Sequence, residues 1–299
     1  YIDSLKDIDD LIEINIKKDL TCFRFLDNKK ERFELEYNLE QGTSHNSFFI
    51  NEDRELLIIH PPEINHFDSL KKIINCYREK FKIEKINIIT GHIDPKITAT
   101  IKNIKEIFNN TNIFCSAPGE KLISELWLLK KPGDIESIEI ELPNITLVKK
   151  EFLLKYKENI LHLIPAPTAR WPGGLIIYEE NSEILFSEKL FSCHVASEEW
   201  SESNRLSTET DRKHFYNCLM APMSSQITSL SEKIFEYEIK CIAPLHGPAI
   251  EYSLKSFIND YIRWGESIAI NNPRIALIYA SAYGNTASIG DALAKGITT

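Results

Sequence analysis

The sequence predicts an α/β protein: a four-layer αββα sandwich followed by the start of a doubly wound domain. Three observations predict it. Short strands followed by amphipathic helices occur over residues 22–108, and the same order returns over residues 135–268. Two such halves bury their apolar faces best as two sheets packed face to face with helices outside. A last block, residues 274–299, reads as one strand, one polar loop and one helix.

In the first half, Phe33-Glu34-Leu35-Glu36-Tyr37 alternates apolar and charged residues, as a sheet with one wet face requires. Asn46-Ser47-Phe48-Phe49-Ile50 and Glu55-Leu56-Leu57-Ile58-Ile59 are strands separated by the polar turn Asn51-Glu52-Asp53. Phe67, Leu70, Ile73, Ile74 and Tyr77 fall at helical spacing, a strand covers 86–90, and Ile101, Ile104, Ile107 and Phe108 mark the next helix. In the second half, strands broken by Pro, Gly and Asn run to about residue 195, with Ile138-Glu139-Ile140-Glu141-Leu142 the clearest alternation. Residues 197–211 read as a polar loop, and two helical segments follow, the second through Ile227, Leu230, Ile234 and Tyr237. Cys241–Pro244 is a short strand, and a helix covers about 253–268. Asn271-Asn272-Pro273 is a linker, which sets the expected domains at 1–270 and 274–299.

Composition narrows the function classes. The 299 residues are 43% apolar and 26% charged, and the net charge of −9 gives no footprint for nucleic acid or an anionic membrane. No apolar run approaches the roughly 20 residues that span a bilayer. The six cysteines are scattered and form no C-x-x-C pair, which fits reduced thiols and a cytoplasmic location. The chain does not begin with Met and stops soon after a new domain begins, so a longer protein is expected.

Two loops carry chemistry. His92-Ile93-Asp94-Pro95-Lys96-Ile97 leaves a buried strand with a histidine and an acid two residues apart, able to face one metal ion. The second, Ser281-Ala282-Tyr283-Gly284-Asn285-Thr286, joins the strand 274–280 to a helix through Ile289, Leu293 and Ile297. That geometry offers backbone N–H groups and a helix N-terminus to a phosphate. Adjacent Cys193 and His194 suggest a nucleophile and base, but neighbours on a strand point to opposite faces. His45, His60, His66, His162, His194 and His214 have no ligand-like neighbours in sequence and read as surface or structural residues.

Together these pieces resemble the flavodiiron proteins, which join a metallo-β-lactamase-like domain to a flavodoxin-like domain. The markers are Gly42-Thr43-Ser44-His45-Asn46-Ser47, the 91–97 loop, Arg170-Trp171-Pro172, Leu185-Phe186-Ser187 with Phe191, Ala243-Pro244-Leu245-His246-Gly247-Pro248, and the 281–286 loop. The resemblance implies that 281–286 holds the phosphate of FMN once the flavodoxin-like domain is whole. The 299-residue chain by itself is expected to bind FMN weakly or not at all.

The family's di-iron site uses an H-x-E-x-D-H loop, a His before Trp-Pro, a bridging Asp after the Phe-Ser strand, and a late His before Gly-Pro. Carried over by position, this sequence keeps His92 and His246 and has Asp94 for the first acid. It has Lys96, Ile97, Arg170 and Lys189 where four further ligands belong. The family's acids sum to about −3 against two irons, whereas Asp94 with Lys96, Arg170 and Lys189 sums to about +2. Di-iron is therefore expected to be absent, with the cations gathered around Asp94 or a bound anion.

This pattern is similar to the cyanobacterial and photosynthetic diflavin branch, whose degenerate subunits pair with ligand-complete sisters. The resemblance implies a subunit of an oxygen-reducing oxidoreductase, forming homo- or hetero-oligomers and taking electrons from NAD(P)H or a photosynthetic donor. A non-catalytic assembly partner is the alternative. A metallo-β-lactamase-type hydrolase is excluded, because its H-x-H-x-D-H motif would need His, Asp and His at Asp94, Lys96 and Ile97.

Overall fold

Alternating apolar residues build two sheets. A computed structural model describes residues 8, 10–33, 37–128, 143–156, 158–266 and 275–298. The chain divides into two compact units, Tyr1–Gly265 and Glu266–Thr299.

The first sheet contains β1 (Leu11–Lys17), β2 (Leu20–Asp27), β5 (Thr43–Glu52), β6 (Glu55–Ile59), β7 (Lys85–Ile89), β8 (Thr111–Ser116) and β9 (Asn144–Val148), hydrogen-bonded in that order. A small ribbon, β3 (Arg32–Phe33) and β4 (Tyr37–Asn38), stands apart. Pairing is antiparallel from β1 to β6 and parallel from β6 to β9, with Ile58 opposite Ile88. The crossovers are α1 (Phe67–Phe81), α2 (Pro95–Ile107) and α3 (Ala117–Leu128).

The second sheet runs β10 (Phe152–Tyr156), β11 (Asn159–Pro165), β12 (Leu175–Glu179), β13 (Ile184–Glu188) and β14 (Cys241–Pro244), the last pair parallel. Helices α4 (Glu209–Phe215), α5 (Ser224–Phe235) and α6 (Leu254–Gly265) cover it, and α7 (Asn285–Thr298) lies in the second unit. Among the described residues, no helix is long and apolar enough to cross a membrane.

The side-chain period of two sorts each strand between two cores. Leu57, Ile59, Phe48 and Ile89 of the first sheet meet Leu163, Leu175, Ile177 and Phe186 of the second. The Phe48 and Phe186 rings lie 4.7 Å apart between the sheets. The intervening Leu56, Ile58, Phe49 and Ile88 instead pack under α1 to α3 with Leu70, Ile73, Ile101 and Ile123. Ile164, Ile176, Tyr178 and Leu185 pack under α4 to α6 with Phe215, Ile227 and Tyr261. This is the four-layer sandwich.

Three local expectations change. β8 and α3 have weak sequence signals: β8, Thr111 to Ser116, lacks a clean alternation, and α3 opens on Ala117-Pro118-Gly119. The polar stretch 197–211 holds a short 3-10 turn at Arg205–Ser207 and the first turn of α4. Residues 275–280 are not a strand, although their apolar run reads as one. A strand needs a hydrogen-bonded neighbour, and none pairs with these residues among the described ones. The alternation at 138–142, residues 34–36 and the linker 271–273 lie outside the described residues.

Candidate functional site

Parallel strands that run the same way bring their C-terminal ends together. His60 follows β6, the His92 loop follows β7, Lys189 follows β13 and His246 follows β14. The start of β5, Thr43 to Asn46, lies beside them. Asn46 N–H donates to Leu245 O at 2.8 Å, and its side-chain amide donates to Pro244 O and Gly247 O, each at 2.8 Å. The His92 loop passes close to the second sheet because residue 91 is glycine. A Cβ there would stand 2.4 Å from Leu175 N and 2.9 Å from Glu188 Oε2.

His246 is held by fixed partners. Its Nδ1–H donates to Ser44 O at 2.7 Å, and a carbonyl can only accept. Its Nε2 therefore presents a lone pair, and the Lys189 ammonium donates to it at 3.1 Å. Both side chains are buried, at 4% exposure each. The Lys189 Nζ also lies 5.9 Å from the centre of the Trp171 ring. Burial pushes the Lys189 pKa down and pushes that of neighbouring Glu188 up, while each charge opposes the other's shift.

Three histidines that read as surface or structural residues in sequence are buried beside this cluster. The His194 ring lies 4.9 Å from the His246 ring and the His45 ring 5.8 Å from it. His45 Nε2–H donates to His60 O at 3.2 Å, and His194 Nδ1 pairs with the Thr43 hydroxyl at 2.7 Å. Burial pushes His45 and His60 down to about 3 and His194 and His246 well below the usual range, with Lys189 adding to each shift. These four imidazoles are neutral at pH 7, and so is His92, shifted down by burial and then by Lys189.

The remaining positions divide. Asp94 caps α2, accepting from Ile97 N–H at 2.7 Å, and its other oxygen lies 3.3 Å from His92 Nε2. Burial raises the Asp94 pKa, but the hydrogen bonds from His92 and the Ile97 amide outweigh it and hold the carboxyl far below its ordinary value. Lys96 does not turn to Asp94 as expected. It reaches outward to Glu63 at 2.8 Å and is 54% exposed. Glu63, which nothing local in the sequence marks, also lies 3.9 Å from Lys30. Ile97 packs in the core under α1 to α3, away from the cluster. Arg170 lies over Trp171 at 5.5 Å rather than pairing with Asp94. Lys189 and Arg170 thus both lie against the Trp171 ring while Lys96 turns outward, and of the three Lys189 contacts His246 among the described residues.

A cavity of about 250 Å³ borders the cluster through His194 and is otherwise lined by Asn38, Glu40, Gln41, Thr210, Asp211 and His214. Among the described residues, no group of three or more His, Cys, Asp or Glu side chains is arranged to hold a metal ion. In the second unit, Ser281, Ala282, Tyr283, Gly284, Asn285 and Thr286 are all exposed. Gly284 takes φ +84°, and its carbonyl accepts from Ser288 N–H at 2.9 Å, opening α7.

Two sheets between helix layers, with a histidine-rich cluster at one strand end, define a metallo-β-lactamase-like domain. Residues 43–247 match the family described as ODP family beta lactamase, and the chain belongs to it, within the flavodiiron proteins. It is 34% identical over 269 residues to the relative designated diflavin flavoprotein A 6 of Nostoc sp. PCC 7120, covering 89% of this chain and 45% of that protein. The chain thus spans under half the length of that relative. The metal-soaked Flv1 flavodiiron core from Synechocystis sp. PCC6803 superposes with TM-score 0.77 at 29% identity, covering 97% of this chain and 69% of that one. The 1–254 fragment of diflavin flavoprotein A 5 from Nostoc sp. PCC 7120 gives TM-score 0.74 at 26% identity, covering 86% and 95%.

Proposed function

We propose that this chain is part of a flavin-dependent, oxygen-reducing oxidoreductase subunit whose own di-iron site is replaced by the buried ammonium of Lys189. The observation that carries this reading is the 3.1 Å contact from Lys189 Nζ to His246 Nε2. A metal-ligating histidine typically donates one ring N–H to a carbonyl and turns the other nitrogen inward. His246 keeps that posture toward Ser44, and a cation tethered to the chain takes the inward lone pair. The residues present do not fit two irons. The bridging carboxylate position is a lysine whose buried charge repels a metal ion, and Ile97 offers no lone pair.

The subunit's redox group is then FMN, with its phosphate at Ser281–Thr286. Gly284 in the left-handed region lets the backbone approach, and Asn285 and Thr286 open α7, whose N-terminus favours an anion. Residues 281–286 would hold FMN, which would supply electron transfer between NAD(P)H or another donor and a ligand-complete sister subunit in the cytoplasm. Elemental analysis after expression with iron supplied tests the site, and less than about one iron per chain is the expected result. Two tightly held irons per chain would overturn it. In the protein containing the whole flavodoxin-like domain, Gly284→Val and Thr286→Ala should weaken FMN in a fluorescence titration, because a branched side chain is strained at that φ.

A further inference from the structure

His162 stands on β11, on the helix-covered side of the second sheet, opposite Tyr178 of β12. Both of its ring nitrogens face carboxylates. Nδ1 lies 3.1 Å from Oε1 of Glu151, and Nε2 lies 3.0 Å from Oε2 of Glu180. An ionised carboxylate only accepts hydrogen bonds, and a neutral imidazole has one N–H to give. Only the imidazolium can satisfy both partners.

The two acids belong to different parts of the fold. Glu180 follows β12 and Glu151 precedes β10. Glu151 also accepts the Tyr237 hydroxyl at 3.2 Å and lies 3.7 Å from Lys233, both at the C-terminal end of α5. The Tyr178 hydroxyl donates to Glu238 O at 2.7 Å, and the Tyr178 and Tyr237 rings lie 4.9 Å apart. The His162 ring is 5.9 Å from Tyr178 and 6.4 Å from Tyr237. Residues 236–240 therefore rest on a platform whose central cation is His162. They lead directly into β14, and β14 ends two residues before His246.

We propose that His162 is a pH-operated clasp that fastens the end of α5, and with it the segment entering β14, to the outer face of the second sheet. The groups facing it are Glu151 before β10, Glu180 after β12, Tyr178 on β12, and Lys233 and Tyr237 on α5 and its terminal turn. Burial of the ring opposes its charge, and the hydrogen bonds to Glu180 and Glu151 outweigh that, so its pKa is raised. A group whose folded pKa is raised holds its stabilisation below the unfolded value of about 6.5 and loses it as pH rises through the folded pKa. Loss of the proton leaves two carboxylates competing for one N–H, with no cation between them.

The test combines histidine-ring NMR titration with amide hydrogen exchange at residues 236–240, corrected for intrinsic rates, at about pH 6 and about pH 9. His162 should titrate above free histidine, and exchange at 236–240 should quicken several-fold at the higher pH. In His162→Gln, which keeps the size and carries no charge, exchange should be fast at both pH values. Glu180→Gln should lower the His162 titration while leaving the ring in place. Titration at or below the free value, or equal exchange in the native protein and His162→Gln at the lower pH, would overturn the clasp.

Discussion

The Lys189 ammonium donates to His246 Nε2 across 3.1 Å, while the opposite ring nitrogen donates to Ser44 O at 2.7 Å. The imidazole is oriented from one side by a carbonyl and neutral, and on the other side it meets a fixed positive charge. After burial, that charge is the next cause depressing His92, His194 and His246. Lys189→Met, of similar length but uncharged, should let all three titrate at higher pH while burial still keeps them below free histidine. Ring NMR across an acid titration measures this. Unmoved histidines would show that Lys189 is not the cation that governs the cluster.

Asp94 has two separable duties. It caps α2 through Ile97 N–H and holds His92. Removing the cap with Asp94→Ala should cost about 0.5–2 kcal/mol in urea unfolding. Asp94→Asn keeps a capping oxygen, so it should cost less in stability while still lowering the His92 titration. Equal losses for the two variants would argue that the charge, not the cap, is what stabilises.

Lys96 and Ile97 are neighbours with opposite fates. Ile97 is 2% exposed in the core under α1 to α3, so Ile97→Ala should cost about 2–5 kcal/mol by opening a cavity. Lys96 is 54% exposed and pairs with Glu63 near solvent, so Lys96→Ala should cost less than about 1 kcal/mol. Denaturant midpoints decide between this order and its reverse.

The neutral histidines make the fold acid-sensitive. His45, His60, His92, His194 and His246 all have folded pKa values below the ordinary one, chiefly through burial. As pH falls below about 6.5 the unfolded chain takes up protons that the folded chain refuses, so stability falls. Each such group contributes up to about 1.4 kcal/mol per pH unit in that window. Urea midpoints should drop steeply between about pH 6.5 and about pH 5, before ordinary carboxylates titrate. His45→Asn should shallow the slope, and a flat profile would contradict neutral burial.

Alternation and helical spacing settled the sandwich in advance, because each strand must sort its residues between two faces and each helix must bury one stripe. Order along the chain also placed His92, Asp94, Lys189 and His246 at strand ends, where a shared site could form. The sequence by itself thus determined the layers and which residues stand at these strand ends. Only the tertiary structure decided what those residues do. His45 lies on β5, His60 and Glu63 lie in the connection after β6, and His194 follows β13, and no local pattern reveals that they meet. Lys96 and Arg170 carry the same charge as Lys189, yet they turn to Glu63 and Trp171, where they stay partly hydrated. Lys189 is enclosed, because it follows β13, which pairs with β14, and His246 after β14 supplies a buried acceptor. A charge reads the same anywhere in a sequence, and what it contributes depends on the water and partners that the fold leaves it.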